Sequence, residues 1–142
     1  MTQPPPGAAP RVLFVDDEED NLTTARRVFR NDFRVRLATS GDKALAELAT
    51  HEFDVVLVDY AMPEMDGIAL LRAIRALGKD TPCIMVTAHA ELEVVREALR
   101  AGLCRAIVSK PWQAEELRRW VFQIHRMQTL RATIGAMRKS TE

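Results

Sequence analysis

Four short apolar segments of the sequence end at side chains that can take part in chemistry. Asp16 and Asp17 follow the first segment, and Asp59 closes a later one. Thr87 ends the next apolar segment, and Lys110 comes directly after the last. Taken alone, each of these side chains is consistent with a helix cap, a turn or a solvated surface position. If the segments are strands of one parallel sheet, however, their ends meet at one edge and the side chains form a group.

The chemistry of such a group follows from its charges. Carboxylates at close range repel one another, which makes it costly to ionise all of them unless a cation lies between them. The donors are oxygens without a neighbouring His or Cys, and this set favours Mg²⁺, which binds few carboxylates and keeps several waters. With the Lys110 ammonium and the Thr87 hydroxyl, the ion would neutralise the oxygens of a phosphoryl group. A carboxylate at the centre can then act as the nucleophile.

The elements that must position these side chains alternate along the chain. Segments rich in Val and Ile predict strands at 11–16, 33–38, 54–59, 83–87 and 106–109. Apolar residues at intervals of three and four predict helices at about 18–31, 41–51, 66–77 and 90–101, and a last helix from near Gln113 to Arg138. Repeated strand–helix units predict an α/β fold, a doubly wound five-stranded parallel sheet with helices on both faces. The charged alternation in 33–38 predicts an edge strand.

Four sequence motifs, in this order and at these intervals, carry a family resemblance: "LFVDDEED", "VVLVDYAMPEMDG", "IMVTAHA" and "IVSKPW". They resemble the receiver domain of bacterial two-component response regulators, the CheY-like family, over about residues 11 to 125. The resemblance implies a flavodoxin-like strand order 2-1-3-4-5. It also implies a sensor histidine kinase as the partner that supplies a phosphoryl group.

The resemblance further implies a role for each matching position. Asp59 would be the phosphoacceptor and a metal ligand, Asp17 a direct Mg²⁺ ligand, and Asp16 a ligand that acts largely through water. The backbone carbonyl of Ala61 would complete the protein's ligands, and Thr87 and Lys110 would bind the phosphoryl oxygens. The Lys110–Pro111 peptide bond would be cis. His89 would lie near the attacking water in dephosphorylation, although an exposed position at a helix entry is favoured for it.

One position departs from the family pattern. Three residues before the lysine, the family usually has Tyr or Phe, whose ring moves inward together with the Thr. Here the position is Ile107. A branched aliphatic side chain cannot move a polar or aromatic tip between solvent and a pocket, so we expect weaker or differently routed coupling to phosphorylation.

The C-terminal part of the chain continues a helical pattern beyond the receiver. We divide the chain into a Pro-rich flexible leader (1–10), a receiver domain (11–126) and a helical extension (127–142). Met127, Leu130, Ile134 and Met137 form an apolar stripe in the extension. Large apolar side chains on one stripe are costly to leave in water, so the stripe predicts a homodimer through this helix or a signalling helix to an output domain.

Composition excludes several other functions. The chain has formal net charge zero, and the run from Arg118 to Lys139, with six basic and no acidic residues, lacks aromatic interleaving or a groove-reading motif. We therefore predict a solvated helix face there, without nucleic-acid or membrane contact. Cys83 and Cys104 have no CxxC spacing and are predicted to be buried free thiols. No signal peptide or long apolar segment occurs, which predicts a cytoplasmic protein.

Three functions compete, and the sequence favours the first. The first is a receiver that switches an interaction surface, as a stand-alone regulator or as the regulatory half of a transcription activator or another effector, and without enzymatic turnover. The second is a haloacid-dehalogenase-like phosphatase, although Ala61 occupies the position where that class needs a second acid. The third is a pseudo-receiver, an interaction module that is held in one state.

Overall fold

A computed structural model describes residues 8–140, which form five strands and five helices in strict alternation. The strands are β1 (Arg11–Val15), β2 (Arg34–Ala38), β3 (Val55–Asp59), β4 (Cys83–Thr87) and β5 (Ala106–Ser109). The helices are α1 (Glu19–Phe29), α2 (Gly41–Thr50), α3 (Gly67–Ala76), α4 (Glu93–Arg100) and α5 (Ala114–Ser140). Every predicted strand and helix is present.

The strands form one parallel sheet in the order β2-β1-β3-β4-β5. The predicted doubly wound sheet with strand order 2-1-3-4-5 is therefore confirmed. The continuously apolar strands β1, β3 and β4 are central and almost fully buried, as strands covered on both faces must be. The prediction for β2 is also confirmed: it lies at an edge, with Arg34 and Arg36 exposed.

The helices cover the sheet in two layers. Buried side chains of α2, α3 and α4 pack on one face together with Leu13, Val56 and Met85. Buried side chains of α1 and α5 pack on the other face together with Val12, Leu57 and Ile84. Both faces of the sheet are thus covered by helices, and the ends of the strands remain accessible to solvent.

Side-chain caps fix where two of the helices begin. Ser40 Oγ accepts a hydrogen bond from Lys43 N (3.1 Å) at the start of α2. Asp66 Oδ1 accepts one from Ala69 N (2.8 Å) at the start of α3. Each oxygen satisfies a backbone N–H that has no partner within the helix. Helix α4 begins three residues later than predicted because residues 90 and 91 form a turn, which is closed by a hydrogen bond from Leu92 N to His89 O (3.1 Å).

Helix α5 runs without a break from the receiver into the extension. Its 27 residues give a length of about 40 Å at ~1.5 Å per residue. Leu117, Val121 and Ile124 are buried in the core, whereas the residues from Met127 onward are largely exposed. The helix thus leaves the core after Ile124 and continues into the solvent.

The two ends of the chain lie partly outside the described residues. Of the predicted leader, residues 1–7 fall outside, and Pro10 is buried with its carbonyl oxygen 2.8 Å from Arg34 N. Residues 141 and 142 of the predicted extension also fall outside. Between residues 8 and 140, no helix is long and apolar enough to cross a lipid bilayer.

Candidate functional site

The strand register brings the predicted polar side chains to one edge of the sheet. Val15 pairs with Val58, so Asp16 lies level with Asp59 at the ends of neighbouring strands. Asp59 in turn pairs with Val86, and Thr87 pairs with Ser109, which precedes Lys110. The group that the sequence pattern predicts is therefore assembled at the carboxyl edge of the three central strands and β5.

Three carboxylates form the centre of this group. Oxygens of Asp16, Asp17 and Asp59 all lie within 4.8 Å of one another. Asp16 and Asp59 are each 8% exposed, whereas Asp17 is exposed. Three oxygen donors this close, with one of them open to solvent, fit a small hard cation that keeps part of its water shell. The predicted Mg²⁺ ligands Asp16, Asp17 and Asp59 are thus together.

Lys110 lies between two of these carboxylates. Its Nζ is 3.0 Å from Asp16 Oδ2 and 3.3 Å from Asp59 Oδ1. Burial opposes the charge of the ammonium, but the hydrogen bond to Asp16 and the charge of Asp59 outweigh burial and raise the pKa of Lys110. The side chain is therefore a fixed positive charge that offsets part of the local carboxylate charge.

Asp59 is the group whose ionisation the site opposes. Burial raises the pKa of Asp59 above its ordinary value, and the charges of Asp16 and Asp17 act in the same direction. Lys110 acts against this shift and does not cancel it. A cation added to the cluster would favour the ionised carboxylate, which is the form that can attack a phosphorus atom.

Asp16 is held in place by the start of the following helix, α1, as well as by Lys110. Glu18 N donates to Asp16 Oδ1 (2.9 Å), and Asn21 Nδ2 donates to Asp16 Oδ2 (3.1 Å). The sequence pattern does not single out Asn21. Asn21 could have been found from its position: it lies five residues after Asp16, where the first turns of α1 bring its amide side chain back to the end of β1.

Thr87 closes β4 and is fully buried. Its Oγ1 accepts a hydrogen bond from His89 N (2.9 Å), and its carbonyl oxygen accepts one from Lys110 N (2.9 Å). The first bond ties the hydroxyl to the loop that leads into α4, and the second ties β4 to the chain at Lys110. Movement of the hydroxyl would therefore act on the α4 entry, while the His89 side chain is exposed.

The loop after Asp59 approaches the strand end closely. Gly67 N donates to Tyr60 O (2.8 Å), and a Cβ at Gly67 would lie 2.6 Å from Asp59 O. Only a residue without a side chain fits there. Ala61 is exposed in this loop, two residues after Asp59. On the other side of the site, the Lys110–Pro111 bond is cis, which confirms the expectation from the family resemblance.

Trp112 connects the site to the aromatic core of the α1 and α5 layer. A small cavity next to the carboxylates is lined by Asp59, Lys110 and Trp112 among others. The Trp112 ring lies 5.4 Å from that of Phe29, which is itself 5.1 Å from Phe33. The sequence motif "KPW" contains this residue, but its contact with α1 follows only from the fold.

Ile107 lies at the centre of β5, level with Met85 of β4. It is half-buried and packs against the core layer of α2, α3 and α4. The residue thus occupies its place in the core as an ordinary strand side chain. The expectation of weaker or differently routed coupling at Ile107 stays a prediction.

Comparisons with known proteins agree with this geometry. Residues 12–122 match the family described as "Response regulator receiver domain". The regulatory protein AtoC of Escherichia coli K12 is 38% identical over 125 residues, which cover 87% of this chain and 27% of AtoC. The transcriptional regulatory protein ZraR of Salmonella typhimurium is 39% identical over 107 residues, 75% of this chain and 24% of ZraR.

A solved structure shows the same relationship. The receiver domain of the Francisella response regulator 1452 superposes with a TM-score of 0.77 at 29% identity, and the match covers 84% of this chain and 98% of that one. This chain spans about a quarter of the curated relatives AtoC and ZraR, and nearly all of the isolated receiver domain. The chain therefore belongs to the response regulator receiver domain family.

Proposed function

We propose that this chain accepts a phosphoryl group on Asp59 from a sensor histidine kinase, in a Mg²⁺-dependent reaction, and thereby switches an interaction surface. Receiver domains as a family are phosphoacceptors that interact with histidine kinases and effector domains, and they are not turnover enzymes. The observation that carries the proposal for this chain is the carboxylate cluster bridged by Lys110.

Each side chain then has a defined part in the transfer. Asp16 and Asp17, with Asp59 and the Ala61 carbonyl, would hold the ion, which when bound offsets the negative charge of the phosphoryl oxygens. Asp59 attacks the phosphorus atom, and the bond from phosphorus to the kinase imidazole breaks. Lys110 exchanges its contact with Asp59 for one with the phosphoryl group, and Thr87 turns its hydroxyl to the same oxygens.

The test is acceptance of a single phosphoryl group. Incubation with a small-molecule phosphodonor and Mg²⁺ is expected to add the mass of one phosphoryl group, and EDTA or the Asp59→Asn variant is expected to prevent the addition. Asp54→Asn is the matched control, because Asp54 directly precedes the other end of β3, where its Oδ2 accepts from Arg11 N (2.7 Å). Full labelling of Asp59→Asn would refute the assignment.

The two alternative functions give different results in the same assay. Sustained release of phosphate from a phosphate ester would support the phosphatase, whose required second acid is replaced by Ala61. Absence of both Mg²⁺ binding and labelling would support the pseudo-receiver. A third result would lie between the receiver and the pseudo-receiver: the chain accepts phosphate, but phosphorylation changes α4 only weakly. The half-buried Ile107 favours this result.

The effector is proposed from the relatives. AtoC is named a regulatory protein and ZraR a transcriptional regulatory protein, and in both this chain matches only about a quarter of the length. We therefore propose that the chain is the regulatory part of a transcription regulator or of a similar effector. The cytoplasmic location stays a prediction from the sequence.

We further propose that two chains pair through α5. Met127, Leu130, Ile134 and Met137 are 46, 53, 43 and 64% exposed, on a helix that has left its own core. Burial of such side chains against a second helix would recover roughly 25 cal/mol per Å² of apolar surface. Sedimentation velocity at rising protein concentration tests the pairing, and a chain that stays monomeric throughout would refute it.

A further inference from the structure

A groove runs along one face of α5, beside the N-terminal segment of the chain. It has a volume of about 710 Å³ and is lined by residues 8–10 and by Asn31 and Asp32 of the turn between α1 and β2. The α5 residues that line it recur at intervals of three and four, which places them on one face of the helix. They are Phe122, His125, Arg126, Thr129, Leu130 and Thr133. We call this space the leader groove.

The N-terminal segment is anchored where it enters the leader groove. Pro10 is buried, and its carbonyl oxygen accepts a hydrogen bond from Arg34 N (2.8 Å). Ala8 and Ala9 are half-buried in front of it. Residues 1–7, which fall outside the described part of the chain, are therefore joined to it at a residue that already lines the groove.

Much of the α5 wall of the groove is apolar. Phe122 is 38% exposed and Leu130 is 53% exposed, and the Phe122 ring lies 5.3 Å from that of Phe33. Thr129 Oγ1 donates to the carbonyl oxygen of His125, and Thr133 Oγ1 donates to that of Thr129, each at 3.0 Å. Both hydroxyl protons are thus used within the helix. The wall offers an aromatic ring and aliphatic groups to an occupant.

The polar groups that remain available in the groove are mainly donors. The carboxylate of Asp32 already accepts a hydrogen bond from Arg118 Nε (2.9 Å). Within residues 8–140, the side chains of Asn31, His125 and Arg126 have no hydrogen-bond partner, and each of the three carries N–H groups. An occupant that presents carbonyl oxygens to these donors and apolar surface to α5 would fit the groove.

We infer that residues 1–7 of the same chain dock in the leader groove as a polyproline II segment. They contain Pro4, Pro5 and Pro6 and no charged side chain. Proline has no backbone N–H, so such a segment offers carbonyl acceptors without donors that need partners. Proline-rich segments dock in aromatic-lined grooves with a small loss of chain entropy, because their extended conformation is largely preformed. The leader is then a strap on α5 in place of the flexible segment that its composition predicts.

The length of the leader suits this path. Seven residues in a polyproline II helix span about 22 Å at ~3.1 Å per residue. The groove face of α5, from Phe122 to Thr133, is roughly 17 Å long at ~1.5 Å per residue. The leader can therefore cover the whole face while it stays attached at Ala8. Because this attachment holds the leader at a high effective concentration, docking within one chain is favoured over docking on a second copy.

The strap would fix the direction in which α5 leaves the receiver. It ties the face that follows buried Ile124 to the start of β1. The apolar stripe of α5 lies on the neighbouring face and shares Leu130 with the groove, so Met127 and Ile134 stay uncovered. The inference therefore rests neither on the proposed pairing through this stripe nor on phosphoryl acceptance at Asp59.

A change in the leader alone tests the docking. Substitution of Pro4, Pro5 and Pro6 by glycine keeps the length of the leader but removes its preformed conformation and leaves the receiver core untouched. In NMR spectra of the full chain, the amide signals of Thr129 and Thr133 are expected to shift in this variant. The heteronuclear nuclear Overhauser effect of Gly7 is expected to fall. Groove signals that match those of wild type would overturn the docking.

A pair of arginine variants tests the groove. Arg126→Ala removes a donor that lines it and is expected to lower the nuclear Overhauser effect of Gly7. Arg131→Ala is the matched control, because Arg131 is exposed and lies about half a turn around the helix from the groove face at 3.6 residues per turn. Equal values for Gly7 in the two variants would overturn the assignment of this groove.

A spin label on the leader identifies the occupant. A nitroxide on Thr2→Cys is expected to broaden the amide signals of Thr129 and Thr133 in its own chain, and to lose this effect when the three prolines are glycine. Cys83 and Cys104 are buried and should not take the label. Equal broadening in the glycine variant would show a tethered leader that does not dock. Broadening of an unlabelled, isotope-enriched chain by a spin-labelled second chain would assign the groove to the leader of another copy, and either result would overturn the strap.

Discussion

Lys110 Nζ lies 3.3 Å from Asp59 Oδ1, at the same edge of the sheet where Asp16 holds the same ammonium group at 3.0 Å. The lysine is shared between two carboxylates, and Asp59 still has a raised pKa because of burial and the neighbouring carboxylates. Ionising Asp59 therefore costs more free energy in the folded chain than in the unfolded chain. The ionised Asp59 carboxylate is in this respect destabilising.

Asp59→Asn is accordingly expected to increase the free energy of unfolding at pH 7 when EDTA removes divalent ions. The sign follows from proton binding: the folded state binds the Asp59 proton more tightly than the unfolded state, so wild-type stability falls as pH rises from the ordinary value of 3.8 through the raised pKa. The Asp59→Asn variant has no carboxyl group at this position, so its stability does not fall with pH for this reason. Urea unfolding at several pH values measures the difference, which should grow with pH and then level off.

In excess Mg²⁺, wild type is expected to be more stable than Asp59→Asn. A bound cation stabilises the chain that has all three carboxylates more than it stabilises the variant. Asp54→Asn, directly before the far end of β3, serves as the control for the amide substitution. A variant less stable than wild type in EDTA at every pH would contradict the interpretation of Asp59.

The fold was predictable because its determinants are local and repeated. Short apolar segments rich in β-branched residues, such as "VVLV", favour a covered strand, and Ser40 and Asp66 are residue types that cap helix starts. The group at the strand ends follows from topology alone, since parallel strands place their carboxyl ends together. The metal-ligand roles, by contrast, rest on the family resemblance.

The contacts that the sequence does not predict are those between side chains of separate helices and strands. Asn21 is one of several polar residues in α1, and only the return of the helix onto β1 places its amide 3.1 Å from Asp16. Trp112 likewise meets Phe29 only after α1 and α5 pack on the same face. Apolar periodicity places the start of α4 too early because it continues through a turn that has no side-chain cap.

Gly67→Ala is expected to destabilise the chain by about 1–3 kcal/mol, as overpacking does, and to slow labelling of Asp59. The new Cβ would lie 2.6 Å from Asp59 O and 2.9 Å from Tyr60 Cα, and backbone atoms cannot yield as a flexible side chain can. Gly135→Ala is the matched control: nothing lies within 4 Å of its Cβ position, and the substitution should favour α5 by about 0.5–1 kcal/mol. Urea unfolding, circular dichroism and phosphoryl labelling measure these effects, and equal stability of the two variants would contradict the close approach at Gly67.

The Cys83 thiol is expected to resist alkylation by iodoacetamide at pH 8 until the chain unfolds. Burial raises the pKa of Cys83 from 9.0 to about 12, so the native chain contains almost no reactive thiolate. Above pH 9 the unfolded state loses this proton while the folded state retains it, so stability is expected to fall as pH rises toward about 12. Mass spectrometry of alkylated peptides, with and without urea, tests the first expectation. In Cys83→Ala, the free energy of unfolding should fall less between pH 9 and the alkaline limit than in wild type. An equal fall in the two chains would contradict this role of Cys83.

Ile107 is expected to limit how far phosphorylation reaches beyond the site. Its side chain packs in the core layer of α2, α3 and α4, and within residues 8–140 the Thr87 hydroxyl is tied to the α4 entry by one hydrogen bond, from His89 N. Beryllofluoride, a phosphoryl mimic, should therefore shift the backbone amide signals of the site loops strongly and those of α4 and β5 weakly. Ile107→Tyr is expected to enlarge the α4 and β5 shifts, because a ring supplies the group that moves with Thr87, whereas Ile107→Val should behave as wild type. Heteronuclear NMR of the three chains measures this, and wild-type α4 shifts as large as those of Ile107→Tyr would show that the signal leaves the site without an aromatic switch.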